Sequence, residues 1–348
     1  MEKKLKVAVI GCGRVSRTAH YSSIKEHSQL YEFVGVCDTD KERADKYALE
    51  TGSKAYYSAD DLIEKQELDL VSINVPNGLH VEVALKFAER GINLMIEKPL
   101  AMTVEDADRI IDICERKNIK LFTIMQNRYN ATNKILKSCV DKGRFGRIST
   151  CNVTVSWRRE LPYYTEDHQW RSRRDLAGGV FTNQCVHYID MMQWLVGAPP
   201  ETVYAKMGTI YPIEVEDHGA GIIKFKNSVI GSLVLTNHAY PLDTEGSITI
   251  IGERGMVKLG GKSMNKVVQW DFVDKDIEDD QIKEAETNPP TVYGFGHLEM
   301  YERAARSIRG ENIEVIDGRE GRKAVALLEA LYLSDYSGKE IRFPLGKR

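Results

Sequence analysis

LKVAVIGCGRVS, residues 5–16, runs from an apolar stretch through a glycine-rich turn into the start of a helix. Gly11 and Gly13 take the first two positions of GxGxxG, and Ser16 stands where the third would be. The next apolar run, YEFVGVCD (31–38), ends on Asp38. A strand, a glycine turn, a helix and an acidic strand end make up the unit that binds a dinucleotide. The glycines let the backbone turn tightly and approach a pyrophosphate at a helix N-terminus. A carboxylate at the second strand end accepts hydrogen bonds from the adenosine ribose. Asp38 also repels a 2′-phosphate, which favours NAD over NADP, although Lys41 and Arg43 lie nearby. Ser16 is expected to leave the helix–strand contact slightly looser. On its own, GCGRVS also fits a purely structural βα turn.

The rhythm continues outward. LDLVSINVP (68–76), INLMIEKP (92–99) and IKLFTIMQ (119–126) read as further buried strands. Between them KERADKYALETG (41–52) and HVEVALKFAERG (80–91) carry helical periodicity and end on Gly52 and Gly91 as C-terminal caps. Strands alternating with helices predict an α/β fold, a Rossmann doubly wound parallel sheet. Beyond residue 127 the pattern changes. A helix over about 131–142 is followed by period-two strands in 148–157, 202–211, 220–238 and 246–261, with FKNSV and GERGM as hairpin turns. One long helix, GVFTNQCVHYIDMMQWLVG (179–197), interrupts them, and two amphipathic helices close the chain. The acidic stretch 274–286 reads as a solvated loop or exposed helix. The expected division is an NAD-binding Rossmann domain over 1–126 and an α+β domain with a large, mostly antiparallel sheet over 127–348, which binds substrate and oligomerises.

Composition narrows the function classes. The chain has 348 residues, 42% hydrophobic and 28% charged, with a net charge of −3. That offers no global basic field for nucleic acid or an anionic membrane. No apolar run approaches the roughly 18–20 residues needed to span a bilayer. The N-terminus reaches its glycine turn at once, without the longer apolar core of a signal peptide. Six scattered cysteines without a CxxC read as reduced thiols of a cytoplasmic protein, and no metal is expected.

GCGRVS, CDTDKERA (37–44), NVPNGLH (74–80) and EKPLA (97–101), in this order and spacing, resemble the glucose–fructose oxidoreductase/inositol dehydrogenase family (Gfo/Idh/MocA). The likeness continues through GGVFTNQCVHYIDMMQWLVG to GSITIIGERG and so covers nearly the whole chain. Within the family, MQNRYNAT (125–132), GRFGRI (143–148), Asn183 with His187, VEDHG (215–219) and TVYGFGH (291–297) resemble the bacterial UDP-N-acetyl-glucosaminuronate 3-dehydrogenases of surface-polysaccharide synthesis.

The resemblance implies hydride transfer between a nicotinamide and a sugar or polyol carbon. Oxidising a secondary alcohol needs a base for the hydroxyl proton and a positive group beside the developing oxyanion. Lys98 matches the family's catalytic lysine. In the helical reading, Asn183 and His187 lie four apart on one face. Most of the family has aspartate where this chain has Asn183; that departure leaves His187 as the main base and Asn183 to orient substrate hydroxyls. Asp190, a turn further on, either orients His187 or pairs elsewhere. The cofactor set is Gly11, Gly13, Arg14, Val15, Asp38, Asn74, Pro76, Asn77, His80, Glu97, Lys98 and Trp170. Asn77 and His80 fall where nicotinamide-ribose contacts are expected, or else cap a helix and pack. Segment 157–174, with five arginines among four large aromatics, is either a solvated loop or a lid. As a lid its guanidiniums clamp a diphosphate or carboxylate while an aromatic stacks on uracil; Arg158, Tyr164 and Arg171 are then substrate contacts. Asn127 and Arg128 either reach a uronate carboxylate or form an interdomain salt bridge. The expected substrate is a UDP-N-acetyl-hexosaminuronate, with a free sugar or inositol, or a non-catalytic NAD-binding regulator, as alternatives. A homodimer or homotetramer joined through sheet faces is expected.

Overall fold

The computed structural model describes residues 3–166, 169–289 and 293–345, so Asp167 and His168 of the arginine-rich segment and Thr291 and Val292 of TVYGFGH lie outside the described residues. The chain forms two compact units: Met1–Met125 with His297–Val325, and Gln126–Gly296 with Ala326–Arg348.

The first unit is built on six parallel strands, β1 (Leu5–Ile10), β2 (Tyr31–Cys37), β3 (Lys54–Tyr56), β4 (Leu70–Ile73), β5 (Asn93–Ile96) and β6 (Leu121–Thr123), in the order β3-β2-β1-β4-β5-β6. The strand order reverses between β1 and β4, and in such sheets ligands bind at the carboxyl ends beside that reversal. Val7, Ala8, Val9, Leu70, Val71, Ile73, Leu94, Met95 and Ile96 are fully or almost fully buried, as a sheet covered on both faces requires. Local chemistry sets the helix ends. The Asp40 side chain accepts from the Arg43 N–H, and the helix Lys41–Thr51 stops at Gly52, φ +68°. The Thr103 hydroxyl likewise starts the helix Val104–Arg116. β3 is too short, at Lys-Ala-Tyr, to carry a periodic signal.

The second unit holds an eight-stranded sheet: β7 (Ile148–Ser156), β8 (Pro200–Gly208), β9 (His218–Phe225), β10 (Ile230–Thr236), β11 (Glu245–Gly252), β12 (Gly255–Gly260), β13 (Lys266–Phe272) and β14 (Ile341–Arg342), in the order β13-β12-β11-β7-β10-β9-β8-β14. Among its pairs, β7 with β10 is parallel and the rest are antiparallel. One face is apolar and closed, with Val153, Val155, Ile223, Phe225, Leu233, Leu235, Ile248 and Ile250 at or near zero exposure. The alternating positions point out, and Tyr204, Ile222 and Val234 are exposed.

Two expectations need correction here. The helix over 179–197 is not continuous: a π-helical turn, Val180–Gln184, is separated by Cys185 from an α-helix, Val186–Val196. The acidic stretch is only partly solvated. The helix Glu278–Ala285 buries Glu278, which takes Lys142 and the Ser138 hydroxyl as partners.

Candidate active site

In the first unit, the strand ends deliver the predicted residues to one edge of the sheet. Gly11 follows β1, Asp38 follows β2, Asn74–Asn77 follow β4, and Glu97–Lys98 follow β5. Gly11 has φ +87°, and a Cβ there would sit 2.4 Å from the Asn74 carbonyl oxygen, so only glycine fits. At Gly13 an added Cβ meets nothing within 4 Å, which leaves open space above the turn. Arg14 is exposed and Val15 half-buried on the same turn. Half-buried Asp38 accepts the Cys12 N–H at 2.8 Å through one oxygen and the Asp40 N–H at 2.9 Å through the other. The turn, its open face and the acidic strand end together fit a dinucleotide.

Ser16 does not loosen the turn. It is fully buried, donates its hydroxyl to the Gly11 carbonyl and accepts from Asn74 Nδ2 at 3.1 Å. Asn74 is thereby a tie between strand and turn. Asn77 is buried and Pro76 half-buried at the start of the following helix. His80 packs: its ring nitrogens face the carbonyl oxygens of Pro99 at 2.8 Å and Val75 at 3.1 Å, and burial pushes its pKa down.

Glu97 is buried at 8% exposure. One of its oxygens faces His20 Nε2 at 3.0 Å, and the other accepts the Lys98 N–H at 3.1 Å. Burial alone would raise its pKa, but the hydrogen bond from His20 and the nearby His297 imidazole hold it well below the usual carboxylate range. Lys98 is half-buried and followed by a cis bond to Pro99.

In the second unit, Asn183 lies on the π-helical turn and His187 on the α-helix after it. From Ala177 to Met192 every residue is buried except these two, which are half-buried. Gln126 Nε2 is 3.3 Å from His187 Nε2. Gln126 Oε1 and Asn127 Oδ1 are buried with no hydrogen-bond partner among the described residues. The break traces to Glu216, whose backbone carbonyl takes the Val180 N–H at 2.9 Å and whose carboxylate takes the Phe181 N–H at 3.1 Å. The Tyr332 hydroxyl donates to the same carboxylate oxygen at 2.8 Å. Burial pushes the Glu216 pKa up to about 7.

Several predicted substrate contacts have other partners. Arg128 is buried and forms a two-point ion pair with buried Asp190, Nε to Oδ2 at 2.8 Å and Nη2 to Oδ1 at 2.5 Å. The pair lies inside the second unit and is therefore no interdomain bridge, and Asp190 serves Arg128. Tyr164 is buried, its hydroxyl accepting from Asn237 Nδ2 at 2.7 Å, which puts its ring in the interior. Arg158 pairs with Glu160 at 2.5 Å and lies over the Tyr240 ring. Arg171 lies over the rings of Tyr163 and half-buried Trp170. Sequence reasoning missed Gln126, Glu216, Tyr332, His20, His297 and Tyr301, because each is defined by a partner distant along the chain.

Comparison with known proteins agrees with this geometry. Residues 5–124 match the Gfo/Idh/MocA oxidoreductase family's NAD-binding Rossmann fold, and residues 137–343 match its C-terminal α/β domain. The chain belongs to this family: it is an NAD-dependent sugar dehydrogenase acting on a CH–OH group. It is similar to the WlbA dehydrogenase from Bordetella pertussis, solved with NADH and UDP-GlcNAcA, at 38% identity and TM-score 0.95 over 99% of each chain. The WlbA dehydrogenase of Chromobacterium violaceum, also solved with NADH and UDP-GlcNAcA, is 36% identical, with TM-score 0.93 over 99% of this chain and 98% of that one. Glucose-6-phosphate 3-dehydrogenase of Bacillus subtilis (strain 168) is 23% identical over 95% of this chain and 96% of its own. Among the described residues, no helix is long and apolar enough to cross a membrane.

Proposed function

We propose that the chain oxidises the 3-hydroxyl of a UDP-N-acetyl-hexosaminuronate, UDP-GlcNAcA, to the 3-keto sugar, as a step in surface-polysaccharide (O-antigen) biosynthesis. The observation that carries this reading is the likeness, over almost the full length, to two dehydrogenases solved with NADH and UDP-GlcNAcA. The glycine turn at Gly11 and Gly13 and the carboxylate of Asp38 would hold NAD, which would supply the acceptor for the hydride leaving the carbinol carbon. His187 takes the hydroxyl proton, Lys98 as an ammonium stabilises the charge developing on that oxygen, and Asn183 orients the neighbouring hydroxyls. The partnerless amide oxygens of Gln126 and Asn127 add acceptors suited to substrate hydroxyls. A 3-keto product suits a following transamination to a 3-amino sugar. The six buried thiols suit a reducing cytoplasm.

The test is turnover of NAD, followed by NADH absorbance, on UDP-GlcNAcA, myo-inositol, glucose 6-phosphate and free aldoses. UDP-GlcNAcA is expected to be the best substrate; a higher kcat/KM on inositol or an aldose refutes the assignment. Lys98→Ala and His187→Ala are each expected to lower kcat by about a hundredfold or more; near-normal turnover removes the assigned role. We also propose a homodimer or homotetramer joined through the outer sheet face, supported by Ile222 and Val234, 56% and 53% exposed on neighbouring strands. Val234→Glu is expected to lower the sedimentation mass to one chain; an unchanged mass places the interface elsewhere.

A further inference from the structure

Behind Lys98 in the first unit lies a buried polar chain that none of the proposed catalytic steps uses. It draws on separate elements: His20 from the helical segment after the glycine turn, Ser72 on β4, Glu97 at the end of β5, and His297 and Tyr301 on the helix Gly296–Ile308. His20 Nδ1 is 2.8 Å from the Tyr301 hydroxyl and 3.0 Å from the Ser72 hydroxyl, while its Nε2 faces Glu97. His297 Nε2 lies 3.6 Å from the same Glu97 oxygen.

The proton directions are constrained. Asn74 gives its amide proton to Ser16, so its oxygen accepts the Ser72 hydroxyl proton at 3.2 Å. An ionised Glu97 only accepts, so His20 carries its proton on Nε2. The Tyr301 hydroxyl then donates to His20 Nδ1, or to Ser72 at 3.0 Å. With Tyr301 donating to His20, the pairings among His20, Ser72, Tyr301 and Glu97 are consistent with His20 neutral and Glu97 charged. Burial, which pushes the His20 pKa down, agrees with that state.

We propose that this chain is the positioning base of Lys98: it fixes Glu97 as a carboxylate against the Lys98 backbone and so keeps the Lys98 side chain an ammonium. Lys98 is then the group that stabilises charge on the reacting oxygen, and removal of the proton falls to His187. The titratable groups that interact electrostatically with Glu97 are His20, His297, Tyr301, His80 and Lys98. Burial keeps His20 and His80 on the neutral side, so neither offsets the carboxylate's pull on the lysine. The lysine charge helps hold Glu97 ionised, and because such an attraction is mutual, removing the carboxylate is expected to make Lys98 easier to deprotonate. The division of roles rests on the dehydrogenase reading, whereas the charge state of Lys98 is measurable without a sugar.

The experiment titrates Lys98 on the intact protein by acetic anhydride labelling across pH, with quantification of the Lys98 peptide by mass spectrometry. Glu97→Gln is expected to move its midpoint down by about one pH unit, the effect of removing one nearby opposite charge. His20→Leu is expected to do the same, because it strips the carboxylate of a donor. His20→Gln, which can still donate to Glu97, is expected to restore the wild-type midpoint, a rescue that a merely structural role would not give. In the sugar assay the alkaline limb of kcat moves down with His20→Leu and returns with His20→Gln, while KM for NAD changes little in this pair. If Glu97→Gln fails to fold, the His20 pair decides. An unmoved Lys98 midpoint in the variants overturns the proposal. So does stoichiometric zinc that is lost in His20→Leu, since His20, Glu97 and His297 place ligand atoms within 4.8 Å of one another. A lowered midpoint in a protein that turns over no sugar supports the positioning role and counts against the proposed substrate alone.

Discussion

Glu216→Gln is a clean way to ask how much the π-helical turn before His187 costs the fold. The carboxylate is buried among the Phe181 N–H, the Tyr332 hydroxyl and apolar neighbours, and burial lifts its pKa from an ordinary 4.5 to about 7. Between those values the folded chain holds a proton that the unfolded chain has released, so stability falls as pH rises from about 4.5 to about 7 and then levels off. The gap corresponds to about 3 kcal/mol. Glutamine keeps the shape and one acceptor oxygen for the Phe181 N–H and Tyr332 but never charges. The variant is therefore expected to match the wild type near pH 4.5 and to exceed it by up to about 3 kcal/mol at pH 8. Urea unfolding read by tryptophan fluorescence suits the question, because Trp157, Trp170, Trp194 and Trp270 all belong to the second unit. Wild type and variant losing stability in parallel over that pH range would show that Glu216 is not the titrating group.

Gly11→Ala puts a Cβ 2.4 Å from the Asn74 carbonyl in a left-handed backbone; it should cost at least about 1–2 kcal/mol in the first unit and weaken NADH binding, read by NADH fluorescence titration. Arg128→Met leaves the Asp190 charge buried and should destabilise the second unit by about 3–5 kcal/mol, with Arg128→Met/Asp190→Leu recovering most of it in urea melts. Asp38→Ser removes the charge that repels a 2′-phosphate, so the NADP-to-NAD ratio of kcat/KM should rise by about tenfold. NAD affinity should fall in the same variant, because Asp38 also holds the Cys12 N–H.

What the sequence made legible was local. Strand, turn and acidic end stand within one βα unit at Gly11 and Asp38, and EKP closes an apolar run, so their strand-end positions follow from neighbours along the chain. The two hairpins of the second sheet are signalled by their own turns. β13, KVVQWDF, escaped notice because its alternation is blurred by half-exposed positions along the strand. The helix break at Cys185 was illegible for a different reason. The run from 179 to 197 has no glycine or proline between its ends to mark a break, and what diverts its first N–H groups is Glu216, contributed by another part of the chain. Arg128 and Asp190 were both noticed as charges, but their pairing spans 62 residues. The chain behind Lys98 spans 77 residues from His20 to Glu97 and 281 from His20 to Tyr301, distances at which no periodicity speaks.

The first unit takes its residues from two stretches of chain, and the second stretch begins at His297. During synthesis, all six strands of the parallel sheet emerge long before the helix bearing His297 and Tyr301. Until that helix arrives, His20 and Ser72 have no tyrosine hydroxyl to meet and Glu97 has one imidazole instead of two. A nascent chain halted before residue 297 should therefore hold a loosened sheet edge around Lys98, one that proteases find and that tightens only when the ribosome has delivered that helix.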